Sequence, residues 1–164
     1  MSVLFSVAHG DIAQQPDCDA VVNAANKNLR AGSGVCGAIY AAAGPLLEPF
    51  SMKLAPLAVG EAVATPAFNM HYRYIIHTLG PKYLFDEDPP GNLAMAVRSA
   101  ILLADENGVK RLAMPAISTG VYAYPAEEAV PIIVQAAKEL AGRLTSLEEI
   151  RFVVTTNEML NLFE

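Results

Sequence analysis

Two asparagines three positions apart, Asn23 and Asn26, close an apolar run that begins at Ala20. Each amide both donates and accepts hydrogen bonds. Shortly after them, Gly32-Ser33-Gly34-Val35-Cys36-Gly37 leads into a segment with helical spacing. A second glycine-bearing stretch, Ile117-Ser118-Thr119-Gly120-Val121-Tyr122, follows the apolar residues that end at Met114. Glycine lets a backbone approach a ligand closely, and the free N–H groups at a helix start attract anions. Two such turns together could hold a diphosphate without any lysine. Cys36 stands where the first helix begins, where a helix N-terminus can lower a thiol pKa, so a cysteine nucleophile is physically admissible. No histidine is placed by the sequence to activate it. The plainer reading makes Cys36 a small, half-buried residue lining the pocket.

Known phosphate motifs do not account for these glycines. There is no GK[ST] sequence. Gly32, Gly34 and Gly37 do spell G-x-G-x-x-G, but the acid expected about twenty positions later is missing. Tight turns alone would explain them equally well.

Composition narrows the partners. The chain has 164 residues, a formal net charge of −6 and no lysine- or arginine-rich tract, so binding nucleic acid by phosphate neutralisation is not expected. Cys18 and Cys36 form no CxxC pair, which argues against a disulfide framework or a zinc site. His9, His71 and His77 lack metal-ligand spacing. No metal and no cofactor are expected. No apolar run reaches the roughly 18 residues of a membrane span, and the N-terminus lacks the basic start of a signal peptide. The expectation is a cytoplasmic, monomeric protein without a membrane partner, built as one domain over residues 1–164.

The elements that must position these residues alternate. Strands are expected at Val3–Val7, Ala20–Ala24, Glu61–Pro66, Tyr74–Thr78, Arg111–Met114 and Ile150–Thr155. Helices are expected at Val35–Ala43, Leu46–Leu54 (interrupted or restarted near Pro49), Asn92–Glu106, Pro125–Leu140 and Asn157–Phe163. Asp86-Glu87-Asp88-Pro89-Pro90-Gly91 reads as a polar surface loop. Alternating strands and helices favour a three-layer α/β/α sandwich. Ligands in such folds bind beyond the carboxyl ends of the strands, where both glycine-bearing turns would lie.

Taken together, Gly10-Asp11-Ile12, Val21-Val22-Asn23-Ala24-Ala25-Asn26, Gly34-Val35-Cys36-Gly37-Ala38-Ile39, His77-Thr78-Leu79-Gly80-Pro81 and Pro115-Ala116-Ile117-Ser118-Thr119-Gly120-Val121-Tyr122 resemble the macrodomain family. The likeness covers nearly the whole chain, in order. It implies a mixed, roughly six-stranded sheet flanked by helices, with a cleft for ADP-ribose. Some members hydrolyse mono-ADP-ribose from modified proteins or deacetylate O-acetyl-ADP-ribose, and others only bind.

Through that resemblance Asp11, next to Ile12, accepts from the adenine amine; on the residues alone, turn or helix capping by Asp11 is favoured. Asn26 contacts the distal ribose and Asn23 braces the loop, although both could simply form turns. Gly34 and Val35 form one phosphate loop; Ser118, Thr119, Gly120, Val121 and Tyr122 form the other, with Tyr122 packing over the distal ribose. Asn157 would contact ribose or base. His77, within an apolar strand, reads as a structural histidine. Many hydrolytic macrodomains carry aspartate where this chain has Cys36, while some viral members share Gly-Val-Cys. Catalysis would then fall to Asn26, the Gly34 loop and a water held by backbone groups and the substrate's own diphosphate, with Cys36 a minor candidate. Val154-Thr155-Thr156-Asn157 offers little stacking surface for the base, and aromatic stacking is worth roughly 1–3 kcal/mol, so modest affinity is expected. The expected partners are ADP-ribose or O-acetyl-ADP-ribose and mono-ADP-ribosylated proteins. The competing expectation is a reader module that binds without turnover.

Overall fold

Runs such as Ala20-Val21-Val22 and Tyr74-Ile75-Ile76 are apolar at successive positions, as strands covered on both faces must be. In the computed structural model, which describes residues 2–164, they become the centre of one six-stranded sheet. Its strands are β1 (Leu4–His9), β2 (Ala20–Ala24), β3 (Ala62–Pro66), β4 (Tyr74–Thr78), β5 (Arg111–Met114) and β6 (Glu149–Val154), in the spatial order β1-β6-β5-β2-β4-β3. All neighbours are parallel except β3, which pairs antiparallel with β4 at the edge.

The helices are α1 (Gly34–Ala43), α2 (Leu47–Met52), α3 (Pro89–Glu106), α4 (Ala126–Glu139) and α5 (Asn157–Phe163). Alternate strand residues sort into two cores. Val21, Ile75, Ala113 and Val153 pack with Ile39, Tyr40 and Ala43 of α1 on one face. Val22, Ile76, Leu112, Met114 and Ile150 pack with Leu93, Val97 and Ile101 of α3 and Ile133 of α4 on the other. Phe163 of α5 stacks on Phe152, with ring centroids 4.8 Å apart. The expected α/β/α sandwich with a mixed six-stranded sheet is therefore what forms. No helix of the described residues is long and apolar enough to cross a membrane.

Several element boundaries differ from expectation, most by a residue or two, and three departures have a local cause. Helix α3 starts at Pro89, inside the stretch read as a loop. Asp88 caps it by accepting from Gly91 N–H at 3.2 Å, and the two prolines occupy first-turn positions that need no N–H. A Cβ on residue 91 would collide with the Asp88 carboxylate, so the cap depends on glycine there. Pro49 does not interrupt α2; it sits in the first turn, where its missing donor costs nothing. Strand β1 runs on to His9 because its ladder with β6 extends to the pair His9–Val154.

Candidate functional site

The connection after β2 goes to α1 on one face of the sheet, while the connection after the adjacent β5 goes to α4 on the other. Divergent crossovers from neighbouring parallel strands open a crevice at their carboxyl ends. A cleft of about 860 Å³ lies there, crossing the ends of β1, β6, β5 and β2. That size suits a small-molecule site, typically about 300–1,000 Å³.

Of the residues singled out in the sequence, Asp11, Ile12, Asn26, Gly34, Val35, Cys36, Ser118, Thr119, Gly120, Val121 and Tyr122 all line this cleft. Two do not. Asn23 is completely buried behind Cys36. Asn157 is the first residue of α5 and does not line the cleft, whereas its neighbours Thr155 and Met159 do. Thr156 is occupied as the cap of α5, accepting from Met159 N–H at 3.2 Å.

The turn before α1 is held by side chains. Asn26 spans the loop, its Nδ2 donating to Arg30 O at 2.8 Å and its Oδ1 accepting from Arg30 N–H at 3.0 Å. Glu48 of α2 accepts from Ala31 N–H at 2.7 Å. Tyr40 and Ser51 both donate to Leu29 O, at 3.1 and 2.7 Å. Helix α1 approaches so closely that a Cβ on Gly37 would stand 2.5 Å from Gly32 O. Gly34 has φ of +57°, a left-handed conformation that favours glycine. The first-turn N–H groups of α1, which have no carbonyl four residues earlier within the helix, lie at the cleft.

Beneath this turn runs a buried polar chain. Asn23 Nδ2 donates to His77 Nδ1 at 3.1 Å, His77 Nε2 donates to Thr65 Oγ1 at 2.9 Å, and Thr65 donates to Pro66 O at 3.1 Å. This directionality assigns the proton to Nε2 of a neutral ring. Burial pushes the His77 pKa down to about 4. The histidine is structural, as its apolar strand suggested.

Cys36 caps the same chain. Its Sγ lies 3.7 Å from Asn23 Nδ2 and donates to Arg30 O at 3.4 Å. Burial raises its pKa, with the Asn23 and Gly32 hydrogen bonds opposing only in part. The helix start therefore does not yield a reactive thiolate; desolvation wins.

The opposite turn, after β5, is shaped by its backbone. Ser118 has φ of +71° and Ala123 of +63°. Thr119 Oγ1 donates to Ala116 O at 2.6 Å, and Tyr124 N–H donates to Ser118 O at 3.0 Å. The buried Ser118 hydroxyl has no hydrogen-bond partner and packs against Gly80, where a Cβ would collide with it. Tyr122 closes the gap to β2, its hydroxyl donating to Ala25 O at 3.4 Å. Val121 is 79% exposed at the rim.

At the far end, Asp11 Oδ1 accepts from Ala13 N–H at 2.9 Å, which is the capping role. Capping occupies one carboxylate oxygen. Strands β6 and β5 separate β1 from β2, so roughly 14 Å, three inter-strand spacings, divides the Asp11 end from the Asn26 end. Among the described residues no lysine, arginine or glutamate lines the cleft, and Asp11 is its one carboxylate.

Sequence reasoning missed His9, whose Nε2 donates to Thr155 O at 2.9 Å, and Met159. The signal for Met159 was an apolar residue in the first turn of a helix that follows a buried strand.

The fold and site together define an α/β protein with a cleft at its topological switch point and amide-lined turns in place of cationic side chains. The Macro domain family model matches residues 22–133, and the chain belongs to that family. It is 38% identical to an O-acetyl-ADP-ribose deacetylase of Salmonella gallinarum, over 99% of this chain and 93% of the relative. A macro domain-containing protein of Streptomyces coelicolor is 42% identical over 92% of this chain and 90% of its own. Among solved structures, the Oceanobacillus iheyensis macrodomain with ADPR superposes with a TM-score of 0.90 at 32% identity, covering 96% of this chain and 88% of that one. The Trypanosoma brucei macrodomain in complex with ADP-ribose gives a TM-score of 0.89 at 29% identity, covering 97% and 67%.

Proposed function

We propose that the protein binds ADP-ribose along the cleft and hydrolyses mono-ADP-ribosyl esters, on protein carboxylates or as O-acetyl-ADP-ribose. The observation that carries this is the pair of turns, Gly32–Cys36 and Ser118–Tyr122, facing one cleft that has no lysine or arginine among its described lining residues. Their N–H groups supply the partial positive charge a diphosphate needs. The kinship with a deacetylase and with ADP-ribose-bound macrodomains supports the same ligand.

In this reading adenine lies over Ile12 and Met159, and the second Asp11 oxygen accepts from its amine. The diphosphate bridges the turns. The distal ribose lies between Asn26 and Tyr122, where the remaining Asn26 N–H donates to a hydroxyl. Water attacks the ester carbonyl or the anomeric carbon. Asp11 stands too far away to serve as its base, and the Cys36 thiol is protonated. A substrate diphosphate oxygen and the backbone therefore orient the water, and the turns stabilise charge developing in the transition state.

Calorimetric titration with ADP-ribose, AMP and NAD tests the binding, with ADP-ribose expected to be tightest. Single turnover of a mono-ADP-ribosylated protein tests the chemistry. Release that disappears in Asn26→Ala supports the hydrolase; tight binding without release supports a reader, which the absent carboxylate at position 36 would favour.

A further inference from the structure

At the Tyr122 end of the cleft, the chain makes a tight turn over residues 82–86. Asp86 N–H donates to Lys82 O at 2.9 Å, and Lys82 N–H donates to the Asp86 carboxylate at 2.7 Å. Two further contacts fix its placement. Tyr83 N–H donates to Tyr122 O at 2.9 Å, and the Tyr83 hydroxyl donates to Glu128 Oε1 at 3.0 Å. The Tyr83 ring also packs on Tyr124, with centroids 4.8 Å apart. The turn is thus anchored on both sides, yet its tip presents Leu84 at 73% and Phe85 at 83% exposure. Val121, on the rim itself, is exposed to a similar degree. Leu84 and Phe85 thus form an apolar ledge, anchored through Tyr83 beside the site, and exposed apolar side chains of this kind can mark an interaction surface.

The chemistry around the ledge is acidic. Glu87 and Asp88 follow the tip and are exposed. Lys82, within the turn, holds its ammonium 5.6 Å from the centroid of the Tyr122 ring. An apolar ledge with an acidic flank complements a peptide carrying an apolar residue next to lysine or arginine. Its location selects which peptide. Tyr122 and Asn26 bound the end of the cleft where the modified carbon of the distal ribose would lie, so whatever that carbon is attached to must leave the cleft past this turn.

We propose that the Leu84–Phe85 turn docks the polypeptide that bears the ADP-ribosyl group, selecting modification sites flanked by apolar and basic residues. This rests on ADP-ribose occupying the cleft in the orientation given above. The turn thereby favours protein-linked ADP-ribose over the free nucleotide or its acetyl ester, neither of which reaches the ledge.

The test uses peptides ADP-ribosylated on a single glutamine, whose amide link mimics the glutamate ester and resists turnover. One peptide has leucine and arginine flanks; the other has glycine and serine flanks. The wild-type protein should bind the leucine–arginine peptide about tenfold more tightly than ADP-ribose or the glycine–serine peptide. The double variant Leu84→Ser/Phe85→Ser replaces only exposed side chains; it should keep its melting temperature and its ADP-ribose affinity, and lose that tenfold. Equal affinity for both peptides, or a preference that survives in the double variant, overturns the docking proposal while leaving the cleft assignment intact. Failure of ADP-ribose itself to bind overturns both. Concentration-dependent dimerisation abolished by the double variant would assign the ledge to a second copy of the chain and also overturn it.

Discussion

The two turns that face each other across the cleft are built by opposite means. The Gly32–Cys36 turn is pinned by four side chains from one loop and two helices: Asn26, Tyr40, Glu48 and Ser51 all bond the backbone just ahead of it. Behind it, Asn23, His77 and Thr65 form a chain of donors, in which only the buried Asn23 Oδ1 lacks a partner. The Ser118–Tyr122 turn keeps its shape through left-handed residues and short-range bonds, leaves the Ser118 hydroxyl unpaired and exposes Val121. One wall is preorganised; the other has fewer interactions to lose and is the wall that can yield when a ligand enters. A stable cleft that must still admit a bulky nucleotide gains from such asymmetry.

The strongest way to break the comparison is acid. His77 lies under the pinned turn and has no counterpart under the other. In the unfolded chain it takes up a proton near pH 6.5, but in the folded protein only near pH 4. Between those values the unfolded state holds one proton more, so stability is complete above pH 6.5 and falls as the pH drops toward 4. The loss should approach about 3 kcal/mol, at 1.36 kcal/mol per pH unit. The carboxylates of Asp17 and Asp105, both held below their usual range, come into play only at lower pH. Urea unfolding at pH 7.0 and 4.5 measures the slope. It should flatten in His77→Gln, whatever that variant's absolute stability; an unchanged slope would remove His77 from this role.

A methyl group sharpens the contrast between the walls. Gly37→Ala places a Cβ 2.5 Å from Gly32 O, a backbone atom that can yield only if α1 shifts. The cost should be about 1–3 kcal/mol of stability, and ADP-ribose affinity should fall with it. Gly120→Ala meets nothing within 4 Å and should unfold at the wild-type urea concentration. If both variants unfold alike, the pinned turn is no tighter than its partner.

How much of this asymmetry could be read from sequence depends on the range of the contacts. The apolar runs of β2 and β4 and the glycine-bearing turns announce themselves within a few residues, and Asn26 and Arg30 pair within one loop. The contacts that pin the first turn do not. Glu48 reaches Ala31 from α2, beyond the intervening α1, and Thr65 meets His77 across an antiparallel pair. Asn23 was legible as a brace but not as a completely buried one. At the other end, the amide of Asn157 suggests a ligand contact, yet the direction of α5 brings Met159 to the cleft instead. The start of α3 was lost because Pro89 and Pro90 suggest a loop until Asp88 is seen accepting from Gly91.

Cys36 gives the smallest expected effect and the narrowest test of the pinned wall's chemistry. Its thiol donates to Arg30 O, and burial keeps it protonated. Serine has the same shape with a better donor and should hold the Arg30 carbonyl as well or better, so Cys36→Ser should change stability by less than about 1 kcal/mol. Single-turnover release of ADP-ribose should stay within about threefold of wild type, since a threefold change is only about 0.7 kcal/mol in barrier height. A nucleophilic thiol predicts the opposite, near-complete loss in the serine variant and trapping by alkylation. Asparagine at 26 and serine at 36 therefore separate the two mechanisms: water chemistry requires the amide and tolerates the hydroxyl, whereas cysteine chemistry requires the sulfur.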